Sequence, residues 1–305
     1  MNKLVVLGSV NADHVLQVPS FPRPGETLHG HNYQVIPGGK GANQAVAAAR
    51  LNADVGFIAC VGDDSFGINI RESFKLDGIN TQGVKMQPNC PTGIAMIQVS
   101  ESGENSICIS AEANNYLTAE LIETDLAAIR DAKYLLTQLE TPLDGIERAV
   151  QAAKEAGTSV ILNPAPAKEL PASLLSNVDV ITPNETEAEV LTGITVVDEE
   201  TAQLAANALH LKGIEIVMIT MGAQGVWLSQ NGQGELIAGF RVDAVDTTAA
   251  GDTFNGAFVT GLLEDMPIES AIKFAHGAAA ISVTRLGAQT SIPHRDEVEE
   301  FIAIQ

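Results

Sequence analysis

The segment AKYLLTQLETPLDGIERAVQAAKEAGTSVILN, residues 132–163, contains the structural unit that decides the fold. Two short apolar runs, AKYLLTQLE and TSVILN, flank the stretch GIERAVQAAKEAG, whose apolar residues recur with helical spacing. Short apolar runs bounded by polar residues are typical of buried strands, and a helix between two such strands is typical of parallel pairing. The segment therefore predicts a β-α-β unit.

The same alternation runs through most of the chain. Strands are predicted for KLVVLGS, VGFIACVG, VDVITPN and EIVMITMG, and helices for ANQAVAAARLN, SFGINIRESFKLDG and TAQLAANALHLKG. Repeated β-α units indicate an α/β fold with a mostly parallel central sheet and helices on both faces.

Two segments break this alternation, at approximately residues 12–36 and 90–112. The first is punctuated by proline and reads as extended, whereas TGIAMIQVSESGENSICIS alternates across a turn and predicts a β-hairpin. Together they predict a small β-flap that acts as a lid, and the alternative is that they are edge strands of the main sheet. Because no linker or repeat interrupts residues 1–305, we predict a single domain with these lid segments inserted.

Composition and charge narrow the function classes. The chain has 305 residues, 45% of them hydrophobic, and 38 acidic against 17 basic residues give a net charge of −21. Such a charge disfavours a nucleic acid partner, whose phosphates require clustered Lys and Arg. The three cysteines, Cys60, Cys90 and Cys108, are too far apart in sequence to indicate a zinc site or a disulfide framework. We expect a cytoplasmic protein without a membrane span, because no run approaches ~20 apolar residues.

Polar residues accumulate where the predicted strands end. They occur in Asn11–Asp13, in Gly38–Asn43, at Glu140, in Asn184–Glu187 and in Met221–Gly225. Each has an ordinary explanation as a turn, a cap or a solvated first helical turn, but five together predict a ligand site at the carboxyl ends of the strands. The glycines of GGKGAN would allow the backbone to approach a ligand, yet this loop fits neither a Walker A motif nor a dinucleotide fingerprint, which disfavours a nicotinamide enzyme.

The segment VDAVDTTAAGDTFNGAF, residues 242–258, predicts the start of a helix with Asp252 in its first turn. An aspartate there is compatible with an ordinary N-cap. The small residues before it leave a second interpretation open, in which a ligand approaches the helix N-terminus.

The motifs GGKGANQA and DTTAAGDTF resemble the two motifs of the ribokinase family of sugar and nucleoside kinases. The resemblance continues through GSVNADH, PSFPRPGET, FIACVGDD, LNPAPAKELP and ITPNETEAE, so it covers nearly the whole chain. It implies a parallel α/β fold with a β-flap lid, and ATP-dependent transfer of phosphate to the 5-hydroxyl of D-ribose, giving ribose 5-phosphate and ADP.

The resemblance also implies residue roles. Asp252 corresponds to the catalytic base, and the anion hole would be formed by the amides of Ala249, Ala250 and Gly251. Besides Asp252, the implied sugar site comprises Asn11, Ala12, Asp13, Gly39, Lys40, Gly41, Ala42, Asn43 and Glu140. The implied nucleotide and magnesium site comprises Asn184, Glu187, Thr220, Met221, Gly222, Ala223, Gln224, Gly225, Gly251 and His276. The implied monovalent-cation site comprises Asp246, Thr248, Ser282, Arg285, Gly287 and Ser291.

The implied ligands are D-ribose, ATP with Mg²⁺, and K⁺ or another monovalent cation as activator, and the implied assembly is a homodimer formed through the β-flap. Two alternatives stay open: a related kinase acting on deoxyribose, fructose or adenosine, and a non-catalytic sugar-binding regulator. Two positions depart from the family pattern, because Glu112 stands where glycine is common and Thr248 where an apolar β-branched residue is frequent.

Overall fold

The computed structural model describes residues 3–305. Its strands are β1 Leu4–Leu7, β2 Asn11–Val18, β3 His31–Gly38, β4 Val55–Gly62, β5 Val84–Gln87, β6 Gly93–Ser100, β7 Asn105–Ser110, β8 Tyr134–Thr137, β9 Ser159–Leu162, β10 Val180–Ile181, β11 Ile216–Thr220, β12 Gly225–Gln230 and β13 Gln233–Ala238. Its α-helices are α1 Lys40–Arg50, α2 Ser65–Leu76, α3 Ala119–Ile122, α4 Leu126–Arg130, α5 Leu143–Ala156, α6 Ala172–Leu175, α7 Glu185–Thr192, α8 Glu199–His210, α9 Ala250–Leu263, α10 Ile268–Ser282 and α11 Arg295–Ala303. Short 3-10 helices occupy Glu112–Tyr116, Glu123–Asp125 and Gly222–Gln224.

The main sheet has the strand order β13-β12-β11-β10-β9-β8-β1-β4-β5. Pairing is parallel from β11 through to β5, and the two strands β12 and β13 continue the sheet in antiparallel orientation. Strands β8 and β9 are adjacent and parallel in the sheet, and α5 connects them in the sequence, as the segment 132–163 predicts. The mostly parallel sheet predicted from the sequence is confirmed.

Helices cover both faces of this sheet, because each central strand is apolar on both sides. In β1, Leu4 and Val6 belong to one hydrophobic cluster, with α1, α9 and α10, whereas Val5 and Leu7 belong to the other, with α5 and α8. Strands buried on both faces are typically near-continuous apolar runs, which is why the sequence shows such runs rather than alternation.

Helix α9 packs closely against α1. A Cβ added to Gly256 would lie 2.6 Å from the carbonyl oxygen of Gln44 and 2.7 Å from the Cβ of Ala47, so only glycine permits this approach. The contact brings the start of α9 next to the start of α1, although the two segments are about 200 residues apart in the sequence.

The β-flap is a separate four-stranded sheet with the order β3-β2-β6-β7. Its antiparallel β6–β7 hairpin is the one predicted from TGIAMIQVSESGENSICIS, whereas β2 pairs with β3 in antiparallel and with β6 in parallel orientation. The alternative that these segments are edge strands of the main sheet is wrong. Strand β2 begins one residue before the predicted segment 12–36, and β3 ends two residues after it. A lid function for this sheet stays a prediction.

Between residues 3 and 305, no helix is long and apolar enough to cross a bilayer.

Candidate active site

Polar residues, several of them predicted site residues, gather at the carboxyl ends of the central strands of the main sheet. The strands β1, β8, β9, β10 and β11 are neighbours, and their carboxyl ends are followed by or include Ser9, Glu140, Asn163, Asn184 and Thr220. An isolated parallel bridge joins Asn184 to Thr220, so the two segments predicted to bind nucleotide are adjacent. This is the edge at which ligands of parallel α/β sheets bind.

Asp252 is not an N-cap, so that interpretation of the sequence is wrong. The N-cap of α9 is Ala249, and the side chain of Asp252 points instead toward α1. Its Oδ2 accepts a hydrogen bond from Nδ2 of Asn43 at 2.9 Å, and its Oδ1 accepts one from Nε2 of Gln44 at 2.9 Å. Burial raises the pKa of Asp252, while the charge of Lys40 and the two amide donors act in the opposite direction.

The backbone at the start of α9 has two unusual features. Ala249 adopts a left-handed conformation with φ of 60°, which costs a non-glycine residue about 1–2 kcal/mol. A Cβ added to Gly251 would meet no atom within 4 Å, so packing among the described residues does not require glycine there. The amide of Ala250 donates to the carbonyl of Thr247 at 3.2 Å, whereas no such bond joins the amides of Ala249 or Gly251 to another described residue. The open space beside these amides fits an anionic ligand.

Lys40 provides a positive charge among several carboxylates. Its Nζ lies 3.5 Å from Oε1 of Glu140, and the other oxygen of Glu140 accepts hydrogen bonds from the amide of Lys40 and from Oγ of Ser9. Burial alone would lower the pKa of Lys40, but the charges of Asp252, Glu140 and Glu187 outweigh burial and raise it. The ammonium group therefore stays charged at the centre of the site.

Asp13 is a buried carboxylate without a hydrogen-bond donor at Oδ1. Burial and then repulsion by Glu140 raise its pKa to about 7, and the charge of Lys40 offsets only part of this rise. Oδ1 of Asn43 is also buried without a partner among residues 3–305. Since buried polar atoms are rarely left unpaired, these two acceptors fit a ligand that donates hydrogen bonds, such as a sugar.

Packing within the protein requires the glycines of GGKGAN, and the approach of a ligand to this loop stays a prediction. A Cβ at Gly38 would lie 1.9 Å from Oδ2 of Asp13, and a Cβ at Gly41 would lie 2.5 Å from the backbone of Gly8. Gly39 has φ of +90°, a conformation that favours glycine. Packing of this loop against β2 and the end of β1 therefore explains all three glycines, and it fixes the position of Lys40.

Asn184 and Glu187 form a capping box at the start of α7. The Asn184 side chain accepts from the amide of Glu187 at 2.8 Å, and Oε2 of Glu187 accepts from the amide of Asn184 at 2.9 Å. Glu187 is nevertheless buried, so the interpretation of it as a solvated residue is wrong. Burial raises its pKa, and its charge interacts with those of Lys40 and Asp252.

A magnesium ion is compatible with this corner of the site only together with other ligands. No group of three or more His, Cys, Asp or Glu side chains among residues 3–305 could hold a metal by itself. One oxygen of Glu187 is taken by the capping box. The remaining oxygen fits the indirect, water-mediated contacts that magnesium makes when phosphates supply its other ligands.

The turn between β11 and β12 contains the other predicted nucleotide residues. The amide of Met221 donates to the carbonyl of Gly225, and Gly222 has φ of +53° with no atom within 4 Å of an added Cβ. His276 is buried in α10 beside the end of this turn: its Nδ1 lies 3.2 Å from the carbonyl oxygen of Ala238, the residue that pairs with Gly225 in the sheet. Its ring packs at 5.5 Å from that of Phe254, and burial lowers its pKa, so a structural role accounts for this histidine.

The two loops predicted to hold a monovalent cation are in contact. Oδ1 of Asp246 accepts from the amide of Thr248 at 2.9 Å, and Oδ2 accepts from the amide of Gly287 at 2.8 Å. The hydroxyls of Ser282 and Ser291 donate to nearby backbone carbonyls, while the Arg285 guanidinium forms an ion pair with Glu297. These side chains are engaged within the protein, so a cation here would be held by backbone carbonyls.

Several residues of the site escaped sequence reasoning. They are buried polar side chains at strand ends or in apolar helices: Ser9, Gln44, Gln138, Asn163, Thr182 and Asn255. A usable signal was present for Gln44, which interrupts the Ala-rich stretch NQAVAAA, and for Asn255, which interrupts TFNGAFV. A polar residue at a buried helical position needs a specific partner.

A parallel α/β sheet whose strand ends surround a buried aspartate and open helix N-terminal amides has the groups that phosphoryl transfer to a small hydroxyl compound requires. The chain belongs to the pfkB family of carbohydrate kinases, whose model matches residues 1–295.

Individual relatives are similar over the full length. A ribokinase of Haemophilus influenzae is 56% identical over 299 residues, which cover 98% of each chain. A deoxyribokinase of Salmonella typhi is 38% identical and covers 99% of each chain. The structure of Arabidopsis thaliana ribokinase complexed with ribose and ATP superimposes with a TM-score of 0.92 at 34% identity, covering 99% of this chain and 98% of that one.

Proposed function

We propose that the chain is an ATP-dependent kinase that phosphorylates D-ribose at O5 and releases ribose 5-phosphate and ADP. The observation that carries this proposal is the buried carboxylate of Asp252, which is held by Asn43 and Gln44 beside the open backbone of Gly251. The full-length similarity to ribokinases supports ribose as the substrate.

In the proposed reaction, Asp252 removes the proton of the sugar hydroxyl as that oxygen attacks the γ-phosphorus. A bond forms between the sugar oxygen and phosphorus, the bond from phosphorus to the bridging oxygen of ADP breaks, and the proton moves to the carboxylate. Each carboxylate oxygen of Asp252 accepts one amide hydrogen bond and retains a second lone pair, so it can bind the hydroxyl while its orientation is fixed.

The amides at the start of α9 would stabilise the charge that develops on the transferred phosphoryl group. The left-handed conformation of Ala249 turns the chain into the helix, and the exposed Gly251 leaves room for phosphate oxygens. Because the Ala250 amide is bonded to Thr247, Ala249 and Gly251 supply the donors in this conformation.

The sugar would be bound by the acceptors that lack a partner in the protein. Asp13 and Asn43 can each accept a hydrogen bond from a hydroxyl, and Lys40 can donate to one. Glu140 has one oxygen occupied by Ser9 and the Lys40 amide, so its main action is to position the loop that carries Lys40.

Magnesium bound with ATP would neutralise phosphate charge, and Asn184 and Glu187 would hold it, mostly through water. The turn at Thr220–Gly225 would lie along the nucleotide. The contact between Asp246 and Gly287 supports a monovalent-cation site that stabilises the loop before Ala249.

We also propose that the β-flap forms a homodimer interface. Val35 and Met96 both pair with His14 on neighbouring strands, so they lie on one face of the flap. They are 42% and 55% exposed, and Tyr33, two residues before Val35 on the same strand, is 59% exposed. Exposed apolar side chains on a sheet are typical of a protein interface. Met96→Asp should shift the sedimentation coefficient from dimer to monomer, and an unchanged coefficient would contradict this interface.

We further propose a cytoplasmic location, which the three free cysteines support because cytoplasmic thiols stay reduced.

A coupled assay of ADP release with ribose, deoxyribose, fructose and adenosine tests the substrate. We expect the highest kcat/KM with ribose. The deoxyribokinase relative makes deoxyribose the specific second candidate, and a higher kcat/KM with it would replace ribose. Absence of turnover with every compound, combined with saturable sugar binding, would favour the non-catalytic regulator.

A further inference from the structure

A series of buried polar side chains, linked by hydrogen bonds, reaches Asp252 from the protein interior. Gln44, in the first turns of α1, donates from Nε2 to Oδ1 of Asp252 at 2.9 Å and to Oδ1 of Asn163 at 3.0 Å. Its Oε1 accepts from Nε2 of Gln138 at 2.6 Å. A carboxylate cannot donate when it is ionised, so the Gln44 amide has only one orientation that satisfies these three contacts.

The series continues from Asn163 back to α9. Nδ2 of Asn163 donates to the carbonyl oxygen of Thr182 at 3.1 Å, and Oγ1 of Thr182 donates to Oδ1 of Asn255 at 2.7 Å. Nδ2 of Asn255 then donates to the carbonyl oxygen of Gly251 at 2.8 Å. The path therefore begins at the carboxylate of Asp252 and ends at the backbone one residue before it.

We propose that Gln44 is a positioning residue for Asp252, and that the series from Gln44 to Asn255 holds this carboxylate in a fixed relation to the backbone of Gly251. The proposal rests on the proposed function, in which Asp252 is the base. The path connects the carboxyl ends of β9 and β10 to both α1 and α9. The orientation of the base is therefore fixed relative to the central strands of the sheet. Pre-orientation of this kind matters because small displacements of reacting groups reduce rates strongly.

Loss of the Gln44 amide would leave Asp252 with a single amide donor, Asn43. Hydrogen bonds to the charged form of a carboxylate favour that form, so their removal favours protonation. The other charged groups that act on Asp252 are Lys40 on α1, Glu140 after β8, Asp13 on β2 and Glu187 on α7, and a change at Gln44 leaves all four in place.

The test compares Gln44→Met, which keeps the length of the side chain, with the wild type in a pH profile of kcat. We expect kcat to fall at least ~10-fold, as for loss of a hydrogen bond to a charged group, with the KM for ATP changed less than about twofold. The acidic limb of the profile should move to higher pH, because more Asp252 is protonated at a given pH.

Gln138→Met is the matched control. It removes the bond to Gln44 from the same buried cluster, but Gln138 contacts neither Asp252 nor Gly251. The unfolding free energy of Gln138→Met should fall by as much as that of Gln44→Met or by less, since Oε1 of Gln138 has no partner among the described residues. The acidic limb of its pH profile should coincide with that of the wild type. If the acidic limb of Gln44→Met also coincides with the wild type, Gln44 is only structural and the proposal is wrong.

Gln44→Glu is a second variant of nearly identical shape, for use if Gln44→Met does not fold. Its carboxyl group faces Asp252, so the acidic limb should move further in the same direction. An unmoved limb would overturn the proposal. Asp252→Asn separates the two hypotheses: full turnover in that variant refutes the proposed function itself, whereas an inactive Asp252→Asn with a normal Gln44 variant refutes only the positioning role.

Discussion

Asp13 should destabilise the protein that is free of ligands, and Asp13→Asn should therefore make it more stable. The carboxylate is buried, lacks a donor at Oδ1 and has a pKa raised from 3.8 to about 7 by burial and by Glu140. The folded state thus binds a proton more tightly than the unfolded state. Each pKa unit corresponds to about 1.4 kcal/mol, so ionisation of Asp13 costs the folded state up to about 4 kcal/mol.

The size of this destabilisation depends on pH in a defined window. Below about pH 4 the carboxyl is protonated in both states and costs nothing, and between that pH and about 7 the cost grows as the unfolded chain ionises first. Urea unfolding followed by circular dichroism at pH 4 and pH 8 measures the difference. We expect Asp13→Asn to exceed the wild type by up to about 4 kcal/mol at pH 8 and by little at pH 4.

Asp64 offers a control of opposite sign. Burial alone would raise its pKa, but hydrogen bonds from Gly67 and Thr92 outweigh burial and lower it, so its ionised form stabilises the fold. Asp64→Asn should reduce stability at pH 8, and the loss should shrink as the pH falls through the carboxylate range. An Asp13→Asn protein that is less stable than the wild type at pH 8, or whose difference is the same at both pH values, would refute the reasoning about Asp13. Asp13→Asn should also weaken ribose binding, because the sugar hydroxyls would lose a charged acceptor. A carboxylate that costs stability is therefore useful at position 13.

Three further predictions concern catalysis. Asp252→Asn should lower kcat at least ~100-fold while ATP binding, measured by calorimetry, is largely retained; near-normal turnover would exclude Asp252 as the base. Gly251→Val should unfold at nearly the wild-type urea concentration, because Gly251 is exposed and an added Cβ meets no described atom within 4 Å, yet it should lose most of its turnover; a fully active variant would show that phosphate does not approach this backbone. Replacing Na⁺ with K⁺ at constant ionic strength should raise kcat or lower the KM, and Asp246→Ala should abolish the difference; equal rates in Na⁺, K⁺ and a large organic cation would show that no monovalent site operates.

Local sequence determined most of the main fold. The run VGFIACVG is β4 over its full length, Val55–Gly62, and the segment 132–163 forms the predicted β8-α5-β9 unit. These predictions succeed because strands buried on both faces must be apolar throughout, and because helical spacing reports a face packed on the sheet. The shortest strand shows the limit, since VDVITPN yields only Val180–Ile181.

Contacts distant in sequence decided the rest. The flap forms its own sheet because β2 pairs with β6, about 80 residues later, and no local pattern specifies that partner. Asp252 reads locally as a cap, but Asn43 and Gln44 reach it across more than 200 residues of chain. Likewise, the glycines of GGKGAN follow from packing against Gly8 and Asp13. Periodicity records which face of an element is buried, whereas the identity of the atoms that meet there depends on how the elements pack, and that is determined only in the folded chain.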